Sequence, residues 1–257
     1  TLPYLIIPDN NTQDHRRLIT PWQSAGAKSV VNLASKLMLA LLPPQTTFFK
    51  LQIRDDKLSE ELDPNIRSEL DLSLSKMERM VMDHINASND RVIVHQAVLN
   101  LVVGGNALIF MNKDGLKHFP LNRYVVNRDG DGNVIEIVTK ELISRKVLGV
   151  EGLPQPKPNS PADNGPSTGS DDEDVEVYTY VRQEEKSGKW VWHQEVFDKI
   201  LPGSRSTAPK NNSPWLVLRF ASVDGEDYGR GRVEQFLGDL KSLEALTQAL
   251  VEGSAAA

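Results

Sequence analysis

Thr20 to Pro44 reads TPWQSAGAKSVVNLASKLMLALLPP, and the reading of this stretch decides the fold. Val30, Leu33, Ala34, Leu37, Met38 and Leu41 recur at spacings of three and four residues, the period that lines up one face of an α-helix. Thr20 and Gln23 make a capping-box pattern with Pro21 at the first helical position, so the spacing predicts a helix that begins at Thr20. Pro43 and Pro44 remove two amide donors and push the preceding backbone out of the helical region, which stops the helix near Leu42. Ala25, Gly26, Ala27, Ala34 and Ala40 leave room for a neighbouring backbone. Burying about six large side chains at roughly 1.5–3 kcal/mol each contributes on the order of 10 kcal/mol before conformational entropy is subtracted. One broad face therefore has to be covered by other segments.

Downstream, Thr47 to Ile53 alternates in hydropathy and predicts a strand. Asp63 and Pro64 mark the start of a second helix whose stripe is Ile66, Leu70, Leu74, Met77, Val81 and Ile85. Ser88 and Asn89 break it, Asp90 caps a third helix from Arg91 to about Val103, and Gly104 and Gly105 end that one. From Ala107 the period changes to two. ALIFM (107–111) and the residues around Phe119 predict strands joined through Lys113, Asp114 and Gly115, and Tyr124 to Asn127 pairs with Val134 to Val138 across a turn. Glu141 to Val150 reads as a short helix, Val175 to Arg182 and Trp190 to Val196 as a hairpin, and Trp215 to Phe220 as a further strand. From about Arg232 to Glu252 runs a rod roughly 30 Å long, with Val233, Phe236, Leu237, Leu240, Leu243, Thr247 and Leu250 on one stripe. That stripe seats either on its own domain or against a copy of itself. The fold class is α+β, helices with small antiparallel sheets leading into one long helix.

The chain of 257 residues is long enough for one large domain or two small ones, with 39% hydrophobic and 25% charged residues. It has no cysteine, which excludes disulfide scaffolds, thiolate metal sites and cysteine nucleophiles. The apolar runs fall far short of the roughly 20 residues of a membrane helix, so no membrane partner is expected. Of the net charge of −6, the Pro-, Ser-, Gly- and Asp-rich stretch 151–174 carries −5, leaving about −1 for the remainder. That stretch reads as a flexible acidic surface insertion. A near-neutral surface without a basic cluster does not grip nucleic acid through counterion release. The chain opens on Thr1 and closes on EGSAAA, which reads as a piece of a longer polypeptide.

Candidate chemistry is sparse. Asp129, Asp131 and Asn133 imitate the start of a calcium loop, but Val134 and Lys140 stand where the loop needs Gly and Glu, so a hairpin turn is the better reading. A nuclease built on Asp129, Asp131 and Glu136 is the alternative function class. The five histidines share no ligand spacing, and neither a metal nor a cofactor is expected. Arg230 and Arg232, flanked by Gly229 and Gly231, form the one compact basic feature near an element end. Arginine opposes the dipole at a helix N-terminus, so these charges answer either to the glycine-bent approach or to an acid of a neighbouring subunit.

Taken together, TPWQSAGAKSVVNLASKLMLALLPPQT (20–46), LVVGGNALIF (101–110), YVVNRDGDGNV (124–134) and DGEDYGRGRVEQFLGDLKSLEALTQALVEGS (224–254) resemble the portal proteins, or head-to-tail connectors, of short-tailed phages of the autographivirus type. The ending is most similar to cyanophage portals. The resemblance implies a homo-oligomeric ring, commonly a dodecamer, at one capsid vertex, assembled in the host cytoplasm and carried in the virion. It implies passage of double-stranded DNA without sequence specificity. Its partners would be the packaging ATPase (the terminase large subunit), tail adaptor proteins, and capsid and scaffolding proteins. It implies a wing domain over 1–230 and the start of the first stem helix over 231–257, with clip, second stem helix and crown beyond. Arg230, Arg232, Val233, Phe236, Leu237, Leu240, Leu243 and Leu250 then become candidates for subunit or stem packing, and Lys241 and Gln248 for the channel face. A ring of this kind is a structural conduit, not an enzyme.

Overall fold

The computed structural model describes Leu5 and residues 20–44, 46–52, 64–113, 115–148, 174–184 and 187–256. Helix α1 spans Ala25–Leu41, starting four residues after Pro21, the first helical position of the capping-box reading. Ser24 holds the cap position without a side-chain bond, Gln23 Oε1 accepts from the Ala25 amide at 2.8 Å, and the Trp22 amide donates to Glu244 Oε1 at 2.6 Å. A carboxylate far along the chain therefore holds a backbone amide within the segment where the capping box would have formed the first turn. The end falls where the prolines put it, with the Leu42 amide still bonded to the Met38 carbonyl at 2.8 Å. Only Gly26, Val30 and Ala34 are buried. The covered face is a narrow stripe rather than a broad one, and Leu39 stays 62% exposed.

Residues 47–52 form no strand. Alternation makes a strand only where a partner offers an edge, and here the Leu51 amide goes instead to Glu78 Oε1 at 2.7 Å. Helix α2 spans Pro64–Ala87, and Ile66, Met77 and Val81 of its predicted stripe are exposed while Met82 is buried. Helix α3 spans Asp90–Gly104 and buries Ala97, Val98, Leu99, Asn100 and Val102. Its first residue is Asp90 itself, which does not cap the helix. The Asp90 carboxylate accepts the Leu116 amide at 2.9 Å and so ties the helix to a hairpin. Gly105, at φ 76°, closes α3 by donating to the Leu101 carbonyl at 3.0 Å.

Among the described residues nine strands follow: β1 Asn106–Asn112, β2 Gly115–Phe119, β3 Tyr124–Arg128, β4 Val134–Ser144, β5 Asp174–Gln183, β6 Trp190–Val196, β7 Lys199–Ile200, β8 Ser206–Ala208 and β9 Trp215–Arg219. They build a three-stranded sheet ordered β2-β1-β9 and a six-stranded sheet ordered β3-β4-β5-β6-β7, with β8 on β6; every pairing is antiparallel. The hairpins expected at 107–119, 124–138 and 175–196 are present. The helix expected over 141–150 shrinks to α4, Arg145–Leu148, because β4 stays paired with β5 as far as Ser144 opposite Asp174. The insertion expected over 151–174 lies outside the described residues apart from Asp174, which opens β5.

The two sheets share a core of Leu108, Phe119, Tyr124, Val126, Ile137, Val181, Trp190 and Trp215. Phe110 stacks on Trp215 with ring centroids 4.2 Å apart. A second core joins α1 to α3 through Val30, Ala34, Val98, Leu99 and Val102. Helix α5, Leu237–Ala256, ends the described chain. Its predicted start at Arg232 is occupied by a 3-10 turn, Val233–Phe236, with Arg232 in its cap position. Helices and antiparallel sheets in one chain, followed by a long helix, make an α+β fold.

Candidate functional site

Where α3 gives way to β1, three short segments meet. The Asn106 side chain is buried and exchanges two hydrogen bonds with the backbone of Gly229, donating to its carbonyl at 2.8 Å and accepting from its amide at 2.7 Å. Its amide also donates to the Gly104 carbonyl at 2.9 Å. Around this point the Phe220 amide bonds the Gly105 carbonyl at 2.9 Å, Arg230 bonds the Ala221 carbonyl at 2.8 Å, and Arg232 bonds the Val102 carbonyl at 2.8 Å. The glycines are required for contact. A Cβ on Gly105 would stand 2.5 Å from the Gly231 nitrogen, and one on Gly231 would run into the Val103 carbonyl. Asp227 and Tyr228, just upstream, serve the outer edge of β3: the Arg128 amide donates to Asp227 Oδ1 at 2.8 Å and the Val126 amide to the Tyr228 hydroxyl at 3.2 Å. The stretch 227–232 thus joins both sheets to the base of α5.

The arginines that stand out in the sequence sit on this strap. Arg230 bridges Glu226 at 2.7 Å and Glu234 at 3.0 Å, both in its own chain. Those two carboxylates hold its guanidinium above its ordinary pKa. Arg232 donates to Gln235 Oε1 at 2.9 Å and lies over the Phe236 ring at 5.4 Å.

Of the stripe on the rod, Val233 packs on the α1–α3 core. Leu240 and Phe236 line a groove of about 300 Å³ with Gly26, Val30, Leu33 and Val102. Among the described residues, cover beyond the groove is limited to the N-terminal approach to α1, where Pro21 and Gln23 lie beside Leu237 and Glu244. No residue of α5 is buried, and Leu237, Leu243, Leu246, Leu250 and Val251 are exposed, Leu246 to 63% and Leu250 to 73%. Lys241 borders a second small groove beside Glu244, and Gln248 donates to Glu252 Oε1 at 2.9 Å along the helix. The structure brings Arg230, Arg232, Val233, Phe236 and Leu240 together at the base of the helix and leaves Leu243, within a turn of Leu240, and Leu250, toward the other end, exposed.

Sequence reasoning missed Asn106, Asp227, Tyr228, Leu246 and Val251. A signal for Asn106 existed in GGN followed far downstream by GRG, two glycine pairs that each permit close approach.

The acidic residues of the nuclease alternative do different work. Asp129 closes the β3–β4 turn, accepting the amides of Asp131 at 3.0 Å and Asn133 at 2.7 Å and the Asn133 side chain at 3.0 Å. The Asn133 side-chain and backbone groups lead in holding its carboxyl below the usual carboxylate range. Glu136 accepts the Tyr180 hydroxyl at 2.6 Å. Among the described residues no three His, Asp or Glu side chains converge as a metal site would need.

Helices and two antiparallel sheets thus form a body that carries a long helix with exposed leucines. The chain belongs to the family of bacteriophage head to tail connecting proteins, whose sequence model matches residues 2–257. It is 38% identical over 253 residues to the portal protein of Escherichia phage T7, covering 96% of this chain and 45% of that relative. It is 37% identical over 260 residues to the portal protein of Enterobacteria phage T3, covering 99% and 47%. To the portal protein of Pseudomonas phage phiKMV it is 30% identical over 257 residues, covering 97% and 48%. The chain spans about half the length of the curated relatives it matches.

Proposed function

We propose that this chain is part of a portal subunit: a non-enzymatic ring component at one vertex of a phage capsid, through which double-stranded DNA enters and leaves without sequence-specific contact. Residues 1–230 would form the wing and 231–257 the beginning of the first stem helix. The observation that carries the reading is α5. A soluble helix that leaves Leu243, Leu246, Leu250 and Val251 open to water asks for a partner surface, and in a chain this similar to portal proteins the fitting surface is another copy. Near-neutral charge outside 151–174 supports weak, sliding contact with DNA rather than tight binding.

The finer expectations follow the same reading. The ring would be a dodecamer built in the host cytoplasm on capsid and scaffolding proteins, filled by the terminase large subunit, and later joined to tail adaptors. Arg230, Arg232, Val233, Phe236, Leu237, Leu240, Leu243 and Leu250 would pack the stem, and Lys241 and Gln248 would face the channel. Mass measurement and negative-stain imaging of the full-length protein test this directly. Closed rings with a central channel are expected, and a strictly monomeric species at micromolar concentration under every salt condition would overturn the reading.

A further inference from the structure

No residue of α5 is buried, and among the described residues its contacts with the body end at Glu244, which takes the Trp22 amide at 2.6 Å. Its backbone anchorage lies at its base. There the Val102 carbonyl takes the Arg232 amide, the buried Asn106 side chain grips Gly229 by two bonds, and Gly105 and Gly231 meet backbone to backbone. The same strap reaches the six-stranded sheet through Asp227 and Tyr228 on β3. We propose that this lock, with Asn106 as its positioning residue, sets the angle at which α5 leaves the body and through that angle the number of subunits that closes the ring. The proposal rests on the ring reading above.

The argument is geometric. In a closed ring each subunit is related to the next by one fixed rotation, and in the ring reading the exposed leucines of α5 and the body that carries it both have to meet the next copy at that rotation. A helix of 20 residues is about 30 Å long, so a tilt of about 5° at its base moves its far end by about 3 Å. That displacement exceeds what packed apolar side chains accommodate in one arrangement. Backbone locks at glycine resist such tilting because neither partner has a side chain to rotate. Asn106 suits the role because its amide both donates and accepts at one residue, a pairing that neither Ala nor an ionised Asp provides.

The test uses the full-length protein and reads ring mass by native mass spectrometry beside thermal unfolding. Asn106→Ala is expected to fold and to lose the single dominant ring mass, giving several subunit numbers or open arcs. Asn106→Asp adds a reading that a general loss of stability does not mimic. As a neutral acid it restores one donor and one acceptor, whereas as a carboxylate it faces the Gly104 and Gly229 carbonyls. Its ring mass should be dispersed at pH 8 and return to the wild-type value at pH 5, with wild type at both pH values as control. Ile137→Val, a core change away from the lock, should lower the melting temperature and leave ring mass unchanged. Tyr228→Phe removes a single hydroxyl from the strap and keeps the fold even if both Asn106 variants fail to fold; it should broaden the ring masses. Rings of unaltered mass in the folded Asn106 variants, or in Tyr228→Phe where those do not fold, would overturn the lock. Absence of rings in wild type would instead overturn the ring reading.

Discussion

The guanidinium of Arg91, at the start of α3, closes the C-terminus of α1: it donates to the Leu42 carbonyl at 2.5 Å and to the Pro43 carbonyl at 3.3 Å. The last carbonyls of a helix have no partner within it, and here the sequence supplies prolines that cannot donate. Asn86 Oδ1 holds the same guanidinium from the other side at 2.8 Å. Arg91→Ala should therefore cost about 1–3 kcal/mol in urea unfolding, and Arg91→Lys should recover only part of it, since a point charge does not reach both carbonyls and Asn86 together. An unchanged midpoint for Arg91→Ala would show that water replaces the contact without loss.

His118 is expected to make stability depend on acid. Burial alone pushes its pKa from 6.5 down to about 4, and its Nε2 has no hydrogen-bond partner among the described residues. The imidazole is neutral in the fold and binds a proton more readily in the unfolded chain, so its contribution is fully present above about pH 6.5 and is lost as pH falls toward about 4. The loss is of order 2 kcal/mol, after discounting for solvent at the open side of the ring. Unfolding midpoints of wild type and His118→Leu, compared from pH 7.5 to pH 4, measure it; parallel curves would refute it.

Thr139 offers a change of opposite sign. It lies in β4 fully buried, and its hydroxyl has no partner among the described residues. Thr139→Val keeps the shape and removes the unsatisfied group, so it should raise stability by about 1 kcal/mol. A drop of similar size in the denaturation midpoint would reveal a hydrogen bond that the hydroxyl makes after all.

Leu240 and Leu250 lie on one stripe of the sequence but in different surroundings. Leu240 lines the groove against α1, whereas Leu250 is open. Leu240→Asp should cost about 2 kcal/mol or more in the stability of the chain itself, through a charge placed against Val30 and Leu33. Leu250→Asp should change stability by less than about 0.5 kcal/mol yet weaken ring assembly of the full-length protein by at least about tenfold. Equal effects of the two on stability, or rings indifferent to Leu250→Asp, would contradict the assignment of that end of α5 to another copy.

The body of the fold was legible where a local pattern and its partner lie close together. The hairpins from Ala107 to Phe119 and from Tyr124 to Val138 were readable because alternation and turn residues adjoin, and α3 because an apolar run meets two glycines. Readings failed where a distant group intervened. The start of α1 moved because Glu244, 222 positions away, takes the Trp22 amide. Thr47 to Gln52 has the alternation of a strand but no edge to join among the described residues, and Glu141 to Ser144 was drawn into β4 by β5 across the long stretch between them.

GRGR, in particular, read as a bend beside two unassigned charges. Its glycines answer to Gly105 and Val103, its Arg230 to Glu226 and Glu234, and its grip to the amide of Asn106, 123 positions upstream. By itself the sequence determined the helices, the strands with adjacent partners, the absence of thiol chemistry and, through long motifs in order, the family. Tertiary structure alone decided which leucines of the last helix are covered and how that helix is held. Periodicity fixes only the face on which a side chain stands, whereas cover and close backbone contact depend on groups that folding brings together from opposite ends of the chain.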